Sequence, residues 1–182
     1  RSARTYALDI SVMDLQVRPA TRDDAQGIID VLNPIIEARA FTVMDTPLTL
    51  DEEQRFLDGY PDRGIFHVAV RAADQALVGF QSLEPFAQYT RACDHVGVMG
   101  TFVDLRLRRQ GIGRRLFDTT LPRARAAGYE KIFTFVRADN PGALATYLDQ
   151  GFSVVGTARR HTKIDGRYID ETMIEKFLES DE

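Results

Sequence analysis

The sequence predicts an α+β domain, a three-layer α/β arrangement in which a mixed, mostly antiparallel sheet of about seven strands is flanked by helices. Three observations carry this. The apolar runs at residues 66–70 and 76–80 are separated only by a short polar stretch, as the arms of an antiparallel hairpin are. Residues 96–116 read as an apolar strand running into a glycine-bearing turn that opens a helix. Near the end of the chain, Asp165-Gly166 is a strong hairpin turn between two further runs. Strands that first pair antiparallel and later cross over through helices make a mixed sheet.

Taken in order, Leu15 and Val17 begin a first strand, and Thr21 with Asp24 resembles an N-cap opening a helix through Leu32, where Asn33-Pro34 is expected to interrupt it. Residues 41–47 form a loop. Thr49-Leu50-Asp51-Glu52 fits a capping box that starts a short helix fading by Gly59. After the hairpin comes a central strand over residues 96–103, apolar on both faces. From Gly113, the residues Leu116, Phe117, Leu121 and Ala124 keep helical spacing toward a stop at Gly128, with a kink expected at Pro122. A buried strand at 132–136, a helix over 140–150, a strand from Phe152 to about Thr157 and a last strand over 168–177 complete the pattern.

The chain has 182 residues, 44% of them hydrophobic, and carries a formal charge of −4, which fits one soluble globular domain over residues 15–182. Residues 1–14 read as an extension, with Met13 a possible native start. Lysine occurs only at positions 131, 163 and 176, so arginine supplies the other 20 of the 23 basic residues. Basic character is nevertheless local, which suits an anionic small ligand rather than a nucleic acid. The single Cys93 excludes an internal disulfide, no apolar run is long enough to span a membrane, and the first dozen residues lack a signal-peptide core. The expectation is a cytoplasmic protein.

Five arginines, at 106, 108, 109, 114 and 115, surround Gly111 and Gly113. Glycines there allow several N–H groups to point inward, and the helix start behind them carries about half a positive charge, which suits a diphosphate. The turn is no P-loop, for no lysine lies near, and no dinucleotide fingerprint, for Leu116 stands where a third glycine is needed. Arg108, Gly111 and Gly113 give instead Arg-x-x-Gly-x-Gly. Downstream, Asn140, Ala143, Tyr147, Gly151 and Phe152 give Asn-x-x-Ala-x-x-x-Tyr-x-x-x-Gly-Phe. Together these resemble the GCN5-related N-acetyltransferases (GNAT), over roughly the span from Gln16 to Leu178. The segments Arg18-Pro19-Ala20-Thr21, Asn33-Pro34, Leu83-Glu84-Pro85-Phe86 and Asp165-Gly166-Arg167-Tyr168-Ile169-Asp170 resemble the phosphinothricin-type, small-amine branch.

The resemblance implies the GNAT acyl-CoA N-acyltransferase fold and acetyl-CoA as cosubstrate; nothing has metal-ligand spacing, so no metal is expected. It implies that N–H groups at Phe102 and Val103, freed where the sheet splays, meet the pantetheine arm and thioester oxygen. The turn of Arg108, Arg109, Gln110, Gly111, Ile112, Gly113 and Arg114 would hold the pyrophosphate, and Asn140 would both cap its helix and contact the cofactor. Tyr147, about two helical turns beyond Asn140 and so on the same face, is the candidate general acid. Small-amine members carry a glutamate five residues before the position of Val103, where this chain has Val98. With that base missing, His95, whose ordinary pKa is about 6.5, Asp94 and Glu84 are the candidate catalytic substitutes, and deprotonation through ordered water or in a pre-equilibrium is the preferred alternative to any of them. His67 and His161 have weaker claims. Cys93 has no motif-linked partner, so direct attack by the amine is preferred to an acyl-enzyme.

The expected activity is acetyl transfer to a small primary amine, an amino acid or a similar compound. A protein N-terminal or lysine acetyltransferase shares both motifs but needs an open peptide groove, and a non-catalytic acyl-CoA-binding module fits the valine at 98. Phe41, Met44, Phe86, Tyr89 and Tyr168 are candidates to close a small acceptor pocket. By resemblance the protein would be a homodimer; no nucleic-acid or membrane partner is expected.

Overall fold

The computed structural model describes residues 14–178, so the expected N-terminal extension lies almost wholly outside the described residues. Seven strands form one sheet in the order β1-β2-β3-β4-β5-β7-β6. They are β1 (Leu15–Pro19), β2 (Ile65–Arg71), β3 (Leu77–Pro85), β4 (Val96–Val103), β5 (Lys131–Arg137), β6 (Ser153–Ile164) and β7 (Arg167–Phe177). Only β4 and β5 pair in parallel; every other neighbouring pair is antiparallel. The helices α1 (Ala25–Glu37), α2 (Leu50–Asp58), α3 (Ile112–Ala126) and α4 (Pro141–Asp149) cover the two faces, giving three layers.

Alternation along the strands sets the two cores. On one face Phe66, Val68 and Phe80 meet Ile28, Val31, Leu32, Ile35 and Ile36 of α1. On the other, Leu83, Met99, Ile132 and Ile174 meet Phe117 and Ala124 of α3 and Tyr147 of α4. His67 belongs to the second face, where its buried ring lies 2.9 Å from the Thr120 hydroxyl and burial keeps its pKa low. Its role is structural.

Three elements differ from expectation. Asn33-Pro34 does not interrupt α1, which runs on to Glu37. A proline inside a helix costs roughly 3 kcal/mol. Ile35 and Ile36 beyond it are buried, each worth about 1.5–3 kcal/mol, and Asn33 exchanges two 2.9 Å hydrogen bonds with the backbone of Leu48. Packing therefore outweighs the break. α3 likewise passes Pro122 as one element. β6 extends to Ile164 through the polar run Arg159-Arg160-His161, because its pairing with β7 absorbs extra residues between Ala158 and Thr162. The turn at Asp165-Gly166 is as expected, with both residues at positive φ. β4 is central, but only Gly97 and Met99 are buried on it.

Candidate active site

β4 is less covered because its parallel neighbour leaves it. The two strands pair at Val96/Lys131, Gly97/Ile132 and Val98/Phe133 and then separate, although they run on to Val103 and Arg137. The Thr134 hydroxyl, donating to the Met99 carbonyl at 2.6 Å, closes the paired end. On the β3 side, Phe86 N–H donates to Val96 O and Asp104 N–H to Val78 O, both at 3.0 Å. Antiparallel alternation then commits the even-numbered residues of β4 to β3 and turns the amides of Thr101 and Val103 toward the gap. Phe102 differs from Val103 in this respect: its backbone faces β3 and its ring stacks on Phe80 at 4.9 Å.

The glycine turn follows the open end of β4. The Asp104 carboxylate accepts from the Arg106 backbone at 2.9 Å and from its guanidinium at 2.7 Å, folding the chain back. Arg109 and Gly111 take φ of 61° and 79°, so the backbone enters α3 through two left-handed residues. Gly111 caps α3 without a side-chain hydrogen bond, leaving the first-turn amides open, while buried Ile112 anchors the turn in the core. Gly113 is not needed for its φ. A Cβ there would meet only Thr146 Cγ2, at 4.0 Å, so nothing within the fold demands glycine at that position. Such a cradle, with open amides and room for close backbone approach, fits a diphosphate.

The arginines divide by partner. Arg106 is bound to Asp104, and Arg114 lies 4.0 Å from Asp118. Arg108 stacks its guanidinium on the Phe41 ring at 3.8 Å, tying the turn to the loop at residues 39–47, and partial burial lowers its pKa. Arg109 and Gln110 are exposed.

α4 approaches the same gap from the second face. Asn140 caps it, accepting from Ala143 N–H at 3.2 Å, and its Nδ2 reaches the Phe41 carbonyl at 3.4 Å. Tyr147 is buried between Phe117 and Phe152, and its hydroxyl lies 3.1 Å from Thr101 Oγ1 at the edge of the gap. Burial pushes its pKa up to about 12, so it keeps its proton at neutral pH. Gln81 donates to the same Thr101 oxygen at 2.8 Å, while its own buried Oε1 has no partner among the described residues. No motif marks Thr101 or Gln81 in the sequence. Only the register reveals them.

The opposite face of the gap is lined differently. Rings of Phe86, Phe133, Phe135 and His161 form a row with successive centroids 5.9, 5.1 and 5.6 Å apart. Buried Arg137 donates to the carbonyls of Arg39 and Thr42 and pairs with Asp139, fastening the 39–47 loop beside this row. Glu84 pairs with Val98 in the register and is half-buried, which raises its pKa.

His95 is not brought to the gap. It is exposed at the start of β4, about 20 Å along the strand from Thr101 at the usual rise, and only its carbonyl is engaged, by Glu130 and Lys131. Asp94 lies 3.7 Å from Arg63 and 3.6 Å from Arg91. The five pocket candidates do not gather either. Phe41 and Met44 pack against the α1 core, Phe86 starts the ring row, Tyr89 is 91% exposed, and Tyr168 lies under Arg160 and Lys163. Two surface concavities, one bordered by Leu121 and Phe177 and one by Pro61 and Tyr89, include no residue of the turn or gap.

Comparison with known proteins supplies the family. Residues 35–152 match the model of the Acetyltransferase (GNAT) family. A phosphinothricin N-acetyltransferase of Streptomyces coelicolor is 24% identical over 91% of this chain and 97% of its own length. An L-methionine sulfoximine/L-methionine sulfone acetyltransferase of Pseudomonas aeruginosa is 24% identical over 92% of this chain and 96% of its own. The crystal structure of a GNAT superfamily phosphinothricin acetyltransferase from Sinorhizobium meliloti with acetyl-CoA superposes with a TM-score of 0.83 at 19% identity, covering 91% of this chain and 89% of that one. The chain belongs to the acetyltransferase (GNAT) family and is an acetyl-CoA-dependent N-acetyltransferase.

Proposed function

We propose that this enzyme acetylates the primary amine of a small, amino-acid-like molecule by direct attack in a ternary complex. The observation that carries the reading is the gap between β4 and β5, with the turn at its open end and the Tyr147 hydroxyl at its edge. In this reading the amides of residues 109–114 hold the pyrophosphate of acetyl-CoA, and those of Thr101 and Val103 receive the pantetheine arm and the thioester oxygen. Asn140 flanks the arm. Tyr147 gives its proton to the departing thiolate, which a phenol with a pKa of about 12 does only as the sulfur takes on charge.

The acceptor enters from the face of Phe133 and Phe135, beneath the loop that Arg137 fastens. That fastened loop narrows the approach, which favours a compact acceptor over a peptide. The names of two relatives, which specify phosphinothricin and methionine sulfoximine, point to amino-acid-like acceptors as well. The test is thiol release and product mass with acetyl-CoA over a panel of amino acids, amino-acid analogues, polyamines and short peptides. Turnover concentrated among amino-acid-like amines is expected. Preference for peptide N-termini or lysines, or no turnover at all, overturns the reading.

A further inference from the structure

We infer that His161 and Glu171 form a general-base dyad on the acceptor side of the gap, His161 taking the proton from the attacking nitrogen and Glu171 positioning its ring. This rests on the proposed entry of the acceptor over Phe135. In the parallel register Val98 faces Phe133, so two residues further on Gly100 faces Phe135 across the opened gap. Gly100 brings no side chain of its own to that level, where the Phe102 ring and the Ser82 hydroxyl lie 3.0 and 3.1 Å from the position a Cβ would take. The His161 ring stacks nearly parallel on Phe135, at 13° and 5.6 Å between centroids. It is the one histidine that contacts a residue lining the opened stretch.

The fold places it there by local means. β6 fits residues 159–161 opposite Asp170 alone between the pairs Ala158/Glu171 and Thr162/Ile169. Arg160 takes a φ of 52°, and the Asp170 carboxylate accepts its N–H at 2.6 Å. This irregularity accompanies a histidine ring lying over β5. His161 Nε2 is 3.8 Å from Glu171 Oε2, leaving Nδ1 without a protein hydrogen bond among the described residues. Glu171 is 5% exposed, and burial raises its pKa while His161 and Arg137 lower it.

Other carboxylates on this face are less well placed. Glu175 is paired with Lys131 at 2.5 Å, and Glu84 stands across from Val98, where β4 and β5 are still joined. The charged groups around His161 are Glu171 and Asp170 on β7, Arg137 at the end of β5 with Asp139 just beyond it, and Arg159, Arg160 and Lys163 on β6.

The step balances from the neutral amine. As the nitrogen lone pair forms the N–C bond, His161 Nδ1 takes one N–H proton; the C–S bond breaks, and Tyr147 protonates the thiolate. The proton on His161 then returns through solvent to the tyrosinate, so amine and thioester yield amide and thiol.

The test uses the best acceptor of the panel with wild type, His161→Gln, Glu171→Gln and Glu84→Gln. His161→Gln should lower kcat by about 10²- to 10⁴-fold and abolish the inflection in kcat/KM against pH, with acetyl-CoA affinity and Tm unchanged. Glu171→Gln should move that inflection to lower pH, since a carboxylate beside an imidazolium raises its pKa, with a smaller loss of kcat. An inflection kept in His161→Gln, or lost in Glu84→Gln instead, overturns the dyad. Absence of wild-type turnover with every amine overturns the acceptor reading itself.

Discussion

Tyr147 keeps its proton because it is buried, and it is poised at the gap because Thr101 holds its hydroxyl. Replacing it with phenylalanine removes one oxygen and little packing area, since the ring contacts with Phe117 and Phe152 remain. Tyr147→Phe is therefore expected to lower kcat by about 10²- to 10⁴-fold while leaving the KM for acetyl-CoA within a few-fold of wild type. Steady-state kinetics with chemistry limiting would show it. Near-wild-type kcat removes Tyr147 from the proton path. The sequence marked this tyrosine through its spacing from Asn140 and Phe152, and the structure carries that spacing to the gap. His95 looked suitable only as an imidazole of ordinary pKa; its distance from the gap depends on where β5 leaves β4, which no local pattern encodes. His161, given a weaker claim along with His67, meets Phe135 through a pairing that is likewise non-local.

At the scale of elements, caps and turns were legible because their chemistry is local. The Thr49–Glu52 box and the Asp165-Gly166 turn both form as read. Pro34 was misread because its local cost is opposed by tertiary contacts: buried Ile35 and Ile36, and the side chain of Asn33 across to Leu48. Asn33→Ala removes both bonds to that backbone and leaves a Leu48 N–H and C=O short of partners. The expected loss is about 1–3 kcal/mol in a denaturant titration, with faster amide exchange across residues 38–48. A stability within a few tenths of wild type would mean that α1 continues past Pro34 without help from Asn33. Arg137 fastens the other end of the same loop, and nothing in its sequence context announced that.

For the whole molecule, the sheet order was only partly legible. Hairpins and crossovers gave the seven strands and their mixed pairing, but β7 lies between β5 and β6, and a contact between elements far apart in the chain leaves no periodic trace. The splay is of the same kind. It matters most, because it sets open amides, a protonated phenol and a glycine turn with free first-turn amides along one path. If acetyl-CoA takes that path, its diphosphate must approach the backbone at Gly113, where a Cβ has room in the protein alone. The most direct measurement is the calorimetric affinity of acetyl-CoA for wild type and for Gly113→Val, each checked for folding by its thermal transition. Wild type should bind one equivalent, and the folded variant should lose most of that affinity. Equal affinity in a folded Gly113→Val protein would contradict the placement of the cosubstrate at this turn.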